Sequence, residues 1–196
     1  MLDSVLVVNK VVEELRRYGR RSLCLKVDYE KAYDSIRWDF LFDMLHKLGF
    51  HNKWIMWVKG CLKSASVSVL VNRSPTTEFQ PSRGVEARRS LNLLFFLIVA
   101  EGLVGLVRQA IKANLLKGVK VVRNEVEASK LQFVVDTLFI CEDAYNNVMS
   151  MRTILRCYEL ASNLKINFHN SKLAGINVES NALEIYAKSL NCTIMG

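Results

Sequence analysis

The chain has 196 residues, 51% of them hydrophobic, and its 27 Lys plus Arg against 19 Asp plus Glu give a formal charge of +8. That length supports one domain with a real core, and the basic balance suits a polyanionic partner such as nucleic acid, although roughly half of such excesses are only a solvated surface. Five scattered cysteines (Cys24, Cys61, Cys141, Cys157 and Cys192) without a Cys-x-x-Cys pair, and three histidines, argue against a disulfide framework or a zinc site and predict reduced, mostly buried thiols.

In chain order, Leu2, Val5, Leu6, Val8, Val11, Val12 and Leu15 recur at helical spacing with Glu13 and Glu14 off that face, predicting a helix over 1–18 that Gly19 ends. Asp3 and little positive charge before these apolar residues give no secretory signal, so the expected setting is nuclear or cytoplasmic and not secreted. Arg16, Arg17, Arg20 and Arg21 then cluster beside a segment in which Leu23, Leu25 and Val27 alternate with Cys24, Lys26 and Asp28. This is a strand with one buried face and one wet or functional face, and Asp28 closes it.

Asp34 and Ser35 can both cap a helix whose stripe is Ile36, Phe40, Leu41, Met44, Leu45 and Leu48, with Gly49 as its stop. Another helix is predicted over 53–62, and a hairpin over 67–79 turns at 72–75. The most apolar stretch, 93–100 extended by 102–107, is preceded by Asn92 and cut by Glu101 and two glycines. It falls short of the roughly 20 apolar residues of a membrane span and reads as a buried core helix starting near Ser90. Alternation resumes at Val119 and Val121, turns at Arg123 and Asn124, and leads to a strand pair over 131–140 in which Asp136 is the one acid. A helix over 144–160, short strands over 165–168 and 173–178, and an amphipathic helix over 182–190 complete a single α/β (α+β) unit. Its hairpins favour a mainly antiparallel sheet backed by helices over a doubly wound parallel one.

Asp28 and Asp136, one closing an apolar strand and one interrupting another, are the candidate chemistry. Carboxylates on adjacent strands can hold divalent metals that align an attacking hydroxyl and stabilise a phosphoryl-transfer transition state. An aspartate at a strand end is also a common turn or cap residue, and spacing alone leaves both readings open.

The surrounding text adds a resemblance. The segment Lys26-Val27-Asp28-Tyr29-Glu30-Lys31-Ala32-Tyr33-Asp34-Ser35 resembles, almost residue for residue, the first catalytic motif of plant LINE-type (non-LTR retrotransposon) reverse transcriptases. The likeness continues through Leu48-Gly49-Phe50, Lys53-Trp54-Ile55, the turn at 71–76, Val99-Ala100-Glu101-Gly102-Leu103, Glu159-Leu160-Ala161-Ser162 and Leu164-Lys165-Ile166-Asn167-Phe168, nearly the whole chain. It implies a polymerase palm with part of the fingers, an RNA template and DNA primer as partners, no membrane, and Mg²⁺ as cofactor. By that likeness Asp28 and Asp136 would be metal ligands, the Tyr29 carbonyl a further oxygen donor, and Tyr33 the plate under the incoming sugar. Arg83 and Gly84 would shape the nucleotide floor, and Lys165 would be a proton donor to pyrophosphate or a plain surface lysine.

The pattern also breaks. Where such proteins read aromatic-Ala-Asp-Asp, this chain reads Phe133-Val134-Val135-Asp136, so a valine that cannot ligate Mg²⁺ stands in the first acid's place. The loop that normally reads Arg-Gly-Leu-Lys-Gln-Gly-Asp-Pro is here Arg83-Gly84-Val85-Glu86-Ala87-Arg88-Arg89-Ser90, with Ala87, Arg88 and Arg89 replacing an amide, a glycine and an acid. Most of the fingers and the primer grip, thumb, endonuclease and zinc knuckle are expected to be absent. The sequence therefore predicts a remnant of an RNA-directed DNA polymerase with little or no activity. Its rival is a non-catalytic basic nucleic-acid-binding module.

Overall fold

The computed structural model describes residues 2–30, 35–64, 66–80, 89–121, 126–128, 130–133 and 136–195. Its centre is β1 (Ser22–Val27), in which Leu23, Leu25 and Val27 alternate with Cys24 and Lys26 after a buried Ser22. With β6 (Lys130–Phe133), β7 (Asp136–Glu142), β8 (Lys172–Ile176) and β9 (Thr193–Ile194) it forms a five-stranded sheet in the order β6-β7-β1-β8-β9. β1 pairs antiparallel with β7, Val27 opposite Thr137, and with β8, Leu25 opposite Leu173, while β9 lies parallel to β8. The α/β class and the mainly antiparallel sheet backed by helices are as the sequence predicts.

Both faces of the sheet are covered, which corrects the expectation of one wet face on β1. Leu23, Leu25 and Val27 point into the larger core, built with α2 (Trp38–Lys47), α3 (Asn52–Lys63), α4 (Arg89–Lys112), α5 (Tyr145–Ser162) and α6 (Ser180–Leu190). Cys24 points the other way into a smaller cluster with Ile140 and Ile176, roofed by Val11 and Leu15 of α1 (Leu2–Arg17) and by Val119 of β4 (Val119–Val121). Val11 and Leu15 of the α1 stripe find their burial on the second face of β1. Each side chain so buried contributes about 1.5–3 kcal/mol relative to exposure.

α4 is the axis of the larger core, with Phe95, Phe96, Ile98, Val99, Ala100, Leu103 and Val107 all buried. Leu93–Lys112 is nevertheless long and apolar enough to cross a membrane by length and mean hydropathy, which is 1.9, so Glu101 interrupts the run less than the sequence reading supposed. Gly102 lets α4 approach α2. A Cβ there would meet the Phe40 ring at 2.9 Å.

Several local expectations need correction. Ser35 does not cap α2, which starts after Arg37; Asp39 instead takes the Phe40 N–H at 2.8 Å and pairs with Arg37, while Asp34 lies outside the described residues. The segment 165–168 forms no strand but a single antiparallel bridge, Ile166 to Tyr29, followed by a turn. Cys61 and Cys157 are exposed, because on α3 and α5 they fall outside the apolar stripe. The hairpin of β2 (Leu70–Val71) and β3 (Ser74–Pro75) is as predicted, with Asn72 and Arg73 at φ 50° and 66° supplying the left-handed turn that matches strand twist. β4 pairs with β5 (Val126–Ala128) as a separate two-stranded ribbon.

Candidate active site

Asp28 follows β1 directly and is half-buried. Its backbone is fixed at both its N–H and its carbonyl. The Asp28 N–H donates to Ser171 Oγ at 3.1 Å, and the Asp28 carbonyl accepts the Asn167 N–H at 2.9 Å. Ser171, itself buried, donates in turn to the Asn167 carbonyl at 2.8 Å. The turn 167–171 thus clamps the residue that sequence reasoning singled out at the end of β1.

β7 begins at Asp136, and Val27 faces Thr137 across the antiparallel ladder. One step further along each strand, positions 28 and 136 oppose one another at the same end of neighbouring strands. β6 and β7 close as a hairpin with Phe133 paired to Asp136. Val135 lies outside the described residues, as do Tyr33, Arg83, Gly84, Ala87 and Arg88; Arg89 opens α4.

Tyr29 lies on the opposite face from Asp28, buried under the sheet with its ring edge-on to Phe96 at a centroid distance of 5.6 Å. Its hydroxyl shares a 3.1 Å hydrogen bond with Thr137 Oγ1, so the two strands that carry positions 28 and 136 are tied from beneath. Burial pushes the Tyr29 phenol up to about 12, the Thr137 bond opposing this in part. Because Glu30 N–H donates to the Lys165 carbonyl and Asn167 N–H to that of Asp28, both at 2.9 Å, Tyr29 itself is the unbonded member of its pair with Ile166. The Tyr29 carbonyl therefore turns away from Ile166, towards the side on which β7 lies.

Lys165 is brought to the same region by that bridge. It is exposed and lines an open cleft of ≈ 470 Å³ with Glu30, Arg156, Glu159, Asn163 and Ile166. Glu159 organises this wall: Oε1 accepts the Ile166 N–H at 2.7 Å and Oε2 pairs with Arg156 at 2.7 Å, while the Arg156 guanidinium sits 4.5 Å above the Phe168 ring. Glu159, Asn167, Ser171 and Thr137 are the residues sequence reasoning missed as supports. Among the described residues, no group of three or more His, Cys, Asp or Glu is gathered as a metal centre.

The mainly antiparallel sheet backed by helices is a palm-like fold. Solved structures share it. Telomerase from Candida tropicalis in complex with a TWJ fragment of telomeric RNA matches with a TM-score of 0.59 and 15% identity, over 85% of this chain and 29% of that one. The Candida albicans telomerase complex with the same kind of fragment gives 0.60 and 15%, over 89% and 30%. Apo telomerase from Candida tropicalis lacking its C-terminal domain gives 0.55 and 12%, over 88% and 36%. At these identities the likeness is one of fold. In sequence the chain is 22% identical over 174 residues to the Transposon TX1 uncharacterized 149 kDa protein of Xenopus laevis, covering 87% of this chain and 13% of that protein. No family model matches. The chain shares its fold with part of these telomerases, is similar in sequence to part of a transposon protein, and spans only a minor share of each of these relatives.

Proposed function

We propose that the chain is the palm of an RNA-directed DNA polymerase of the plant LINE retrotransposon kind, with template RNA and primer DNA as its partners, in which nucleotide transfer is lost or nearly so. The observation that carries this reading is the ladder register: Val27 opposite Thr137 sets Asp28 abreast of Asp136. Two carboxylates and the Tyr29 carbonyl are hard oxygen donors of the kind Mg²⁺ takes. When bound there, Mg²⁺ would supply charge neutralisation at the transferring phosphoryl group.

The rest falls to the protein's own residues. Ser171 and Asn167 hold Asp28 in place, Tyr29 and Thr137 fix the strand spacing, and Lys165, carried on the bridged segment beside Glu30, is the group to deliver a proton to departing pyrophosphate. Valine at 135 removes a carboxylate from this set, and Ala87, Arg88 and Arg89 replace the amide, glycine and acid expected of the floor beside Arg83, Gly84 and Tyr33. A missing principal ligand costs several orders of magnitude in rate.

Two measurements test this. Primer extension on an RNA template with Mg²⁺ or Mn²⁺ is expected to stay at background for the unaltered chain; robust extension would end the inactivity claim. Mn²⁺ binding followed by electron paramagnetic resonance is expected to tighten in Val135→Asp and to weaken in Asp28→Asn. Binding indifferent to both substitutions would remove the metal cradle from the reading.

A further inference from the structure

The arginine cluster that precedes β1 takes no part in the site just described. β1 runs from Ser22 to Val27, so Arg16, Arg17, Arg20 and Arg21 stand at the end of the sheet opposite Asp28, roughly 20 Å away for a six-residue strand. All four are exposed. The turn that presents them is built: Gly19, at φ 62°, donates its N–H to the Arg16 carbonyl, and Arg20 N–H donates to that of Leu15. Asn177 then donates to both the Leu15 and Arg20 carbonyls at 3.1 Å, pinning the turn to the end of β8.

Aromatic rings are interleaved with this charge. Tyr18, inside the cluster, is 52% exposed, and Tyr145, at the start of α5, is 49% exposed. Tyr145 packs on Tyr186 at a centroid distance of 6.4 Å, and burial and Asp143 raise the pKa of the Tyr186 phenol, keeping it neutral. Arg21 Nε pairs with Asp143 at 2.9 Å, and Asp143 N–H donates to the Arg21 carbonyl, which joins the arginine turn to the tyrosines.

The acids nearby do not cancel the charge. Asp143 is neutralised by Arg21, Glu14 is half-buried, and exposed acids on the neighbouring elements are Glu13, a turn upstream, Glu179, two residues beyond Asn177, and Glu142, whose N–H is held by the carbonyl of exposed Lys117. Neither Arg16 nor Arg17 makes an ion pair among the described residues. Arginines spaced along a turn suit phosphates, and exposed tyrosine rings suit unstacked bases. Positive charge along the turn with base-sized rings beside it is the complementarity that single-stranded nucleic acid requires.

We propose that this end of the sheet is a second docking surface, for single-stranded nucleic acid, with Arg16 and Arg17 on the backbone phosphates and Tyr145 and Tyr18 as stacking plates. It is separate from the metal cradle and does not require it.

The test is fluorescence anisotropy of a labelled 20-nucleotide single-stranded RNA against the full chain over a range of KCl, with no divalent ion present. Arg16→Gln/Arg17→Gln is expected to lower the slope of log affinity against log salt by about 1.4, two contacts at about 0.7 each. Tyr145→Leu is expected to weaken binding several-fold with the slope unchanged. Lys172→Gln/Lys188→Gln, which removes the same charge elsewhere, is the control for net charge alone. Equal losses in the two charge-matched doubles, or no loss in Tyr145→Leu, would overturn the proposal. So would displacement of the RNA by poly-glutamate at matched charge, which would mark the surface as a protein-binding one. Far-UV circular dichroism of each variant confirms that these exposed substitutions leave the fold intact. Because no metal is used, a failure here and a failure of the Mn²⁺ measurement above are independent.

Discussion

Asn147 is a single side chain that secures three backbone groups. Buried at the start of α5, it accepts the Lys117 N–H at 3.0 Å and donates to the Glu142 carbonyl at 2.8 Å and, more loosely, to the Lys117 carbonyl. Asn147→Ala leaves the Lys117 N–H and the Glu142 carbonyl without this partner and is expected to cost about 1–3 kcal/mol, read as a lower urea midpoint; Asn146→Ala, at an exposed neighbour, is expected to change it by less than about 0.5 kcal/mol. The thiols separate in the same way. Burial raises Cys24 to about 11 and Cys141 to about 12, whereas Cys61 and Cys157 are exposed, so a thiol reagent at pH 8 is expected to modify Cys61 and Cys157 quickly and the buried pair only on unfolding. Since the folded values lie above the ordinary 9, this contribution to stability is complete below pH 9 and is lost as pH rises through 11 to 12. Urea titrations across that window check the sign. At this scale Asp28 was legible because an acid closing an apolar strand is out of place. Ser171 was not, because its bond to Asp28 spans 143 residues and no local pattern announces it.

Helices and strands were legible where periodicity and a stop signal agreed. α3 lies where apolar spacing puts it, begun by the His51 ring, whose Nδ1 accepts the Lys53 N–H. The segment 165–168 alternates like a strand, yet Tyr29 alone bridges it and Glu159 takes its Ile166 N–H, so a side chain supplied what a ladder would have. Two glycines of α4 give a paired prediction. A Cβ at Gly102 collides with Phe40, while one at Gly105 has nothing within 4 Å. Gly102→Val is therefore expected to destabilise by about 1–3 kcal/mol through overpacking against α2. Gly105→Ala is expected to stabilise by about 0.5–1 kcal/mol by restoring helix propensity. Thermal melting of the two variants side by side measures both.

The molecule as a whole is a sheet between two unequal layers. Five helices share the larger core, and α1 closes the other side over a handful of side chains. The unequal burial sets an order of opening. Amides of α1 and of the β2–β3 hairpin, whose residues are all exposed, are expected to exchange first, and those of β1 and α5 last, by hydrogen exchange read with mass spectrometry. This layering could not be read from any one segment, since each strand reports only that it has an apolar face and not how many helices compete for it.

The Tyr29 and Thr137 hydroxyls join β1 and β7 on the side of the sheet away from Asp28. The gap between those strands is consequently gauged by a peg driven through the underside. A frame held this way keeps its dimensions whatever side chains are changed on the face above.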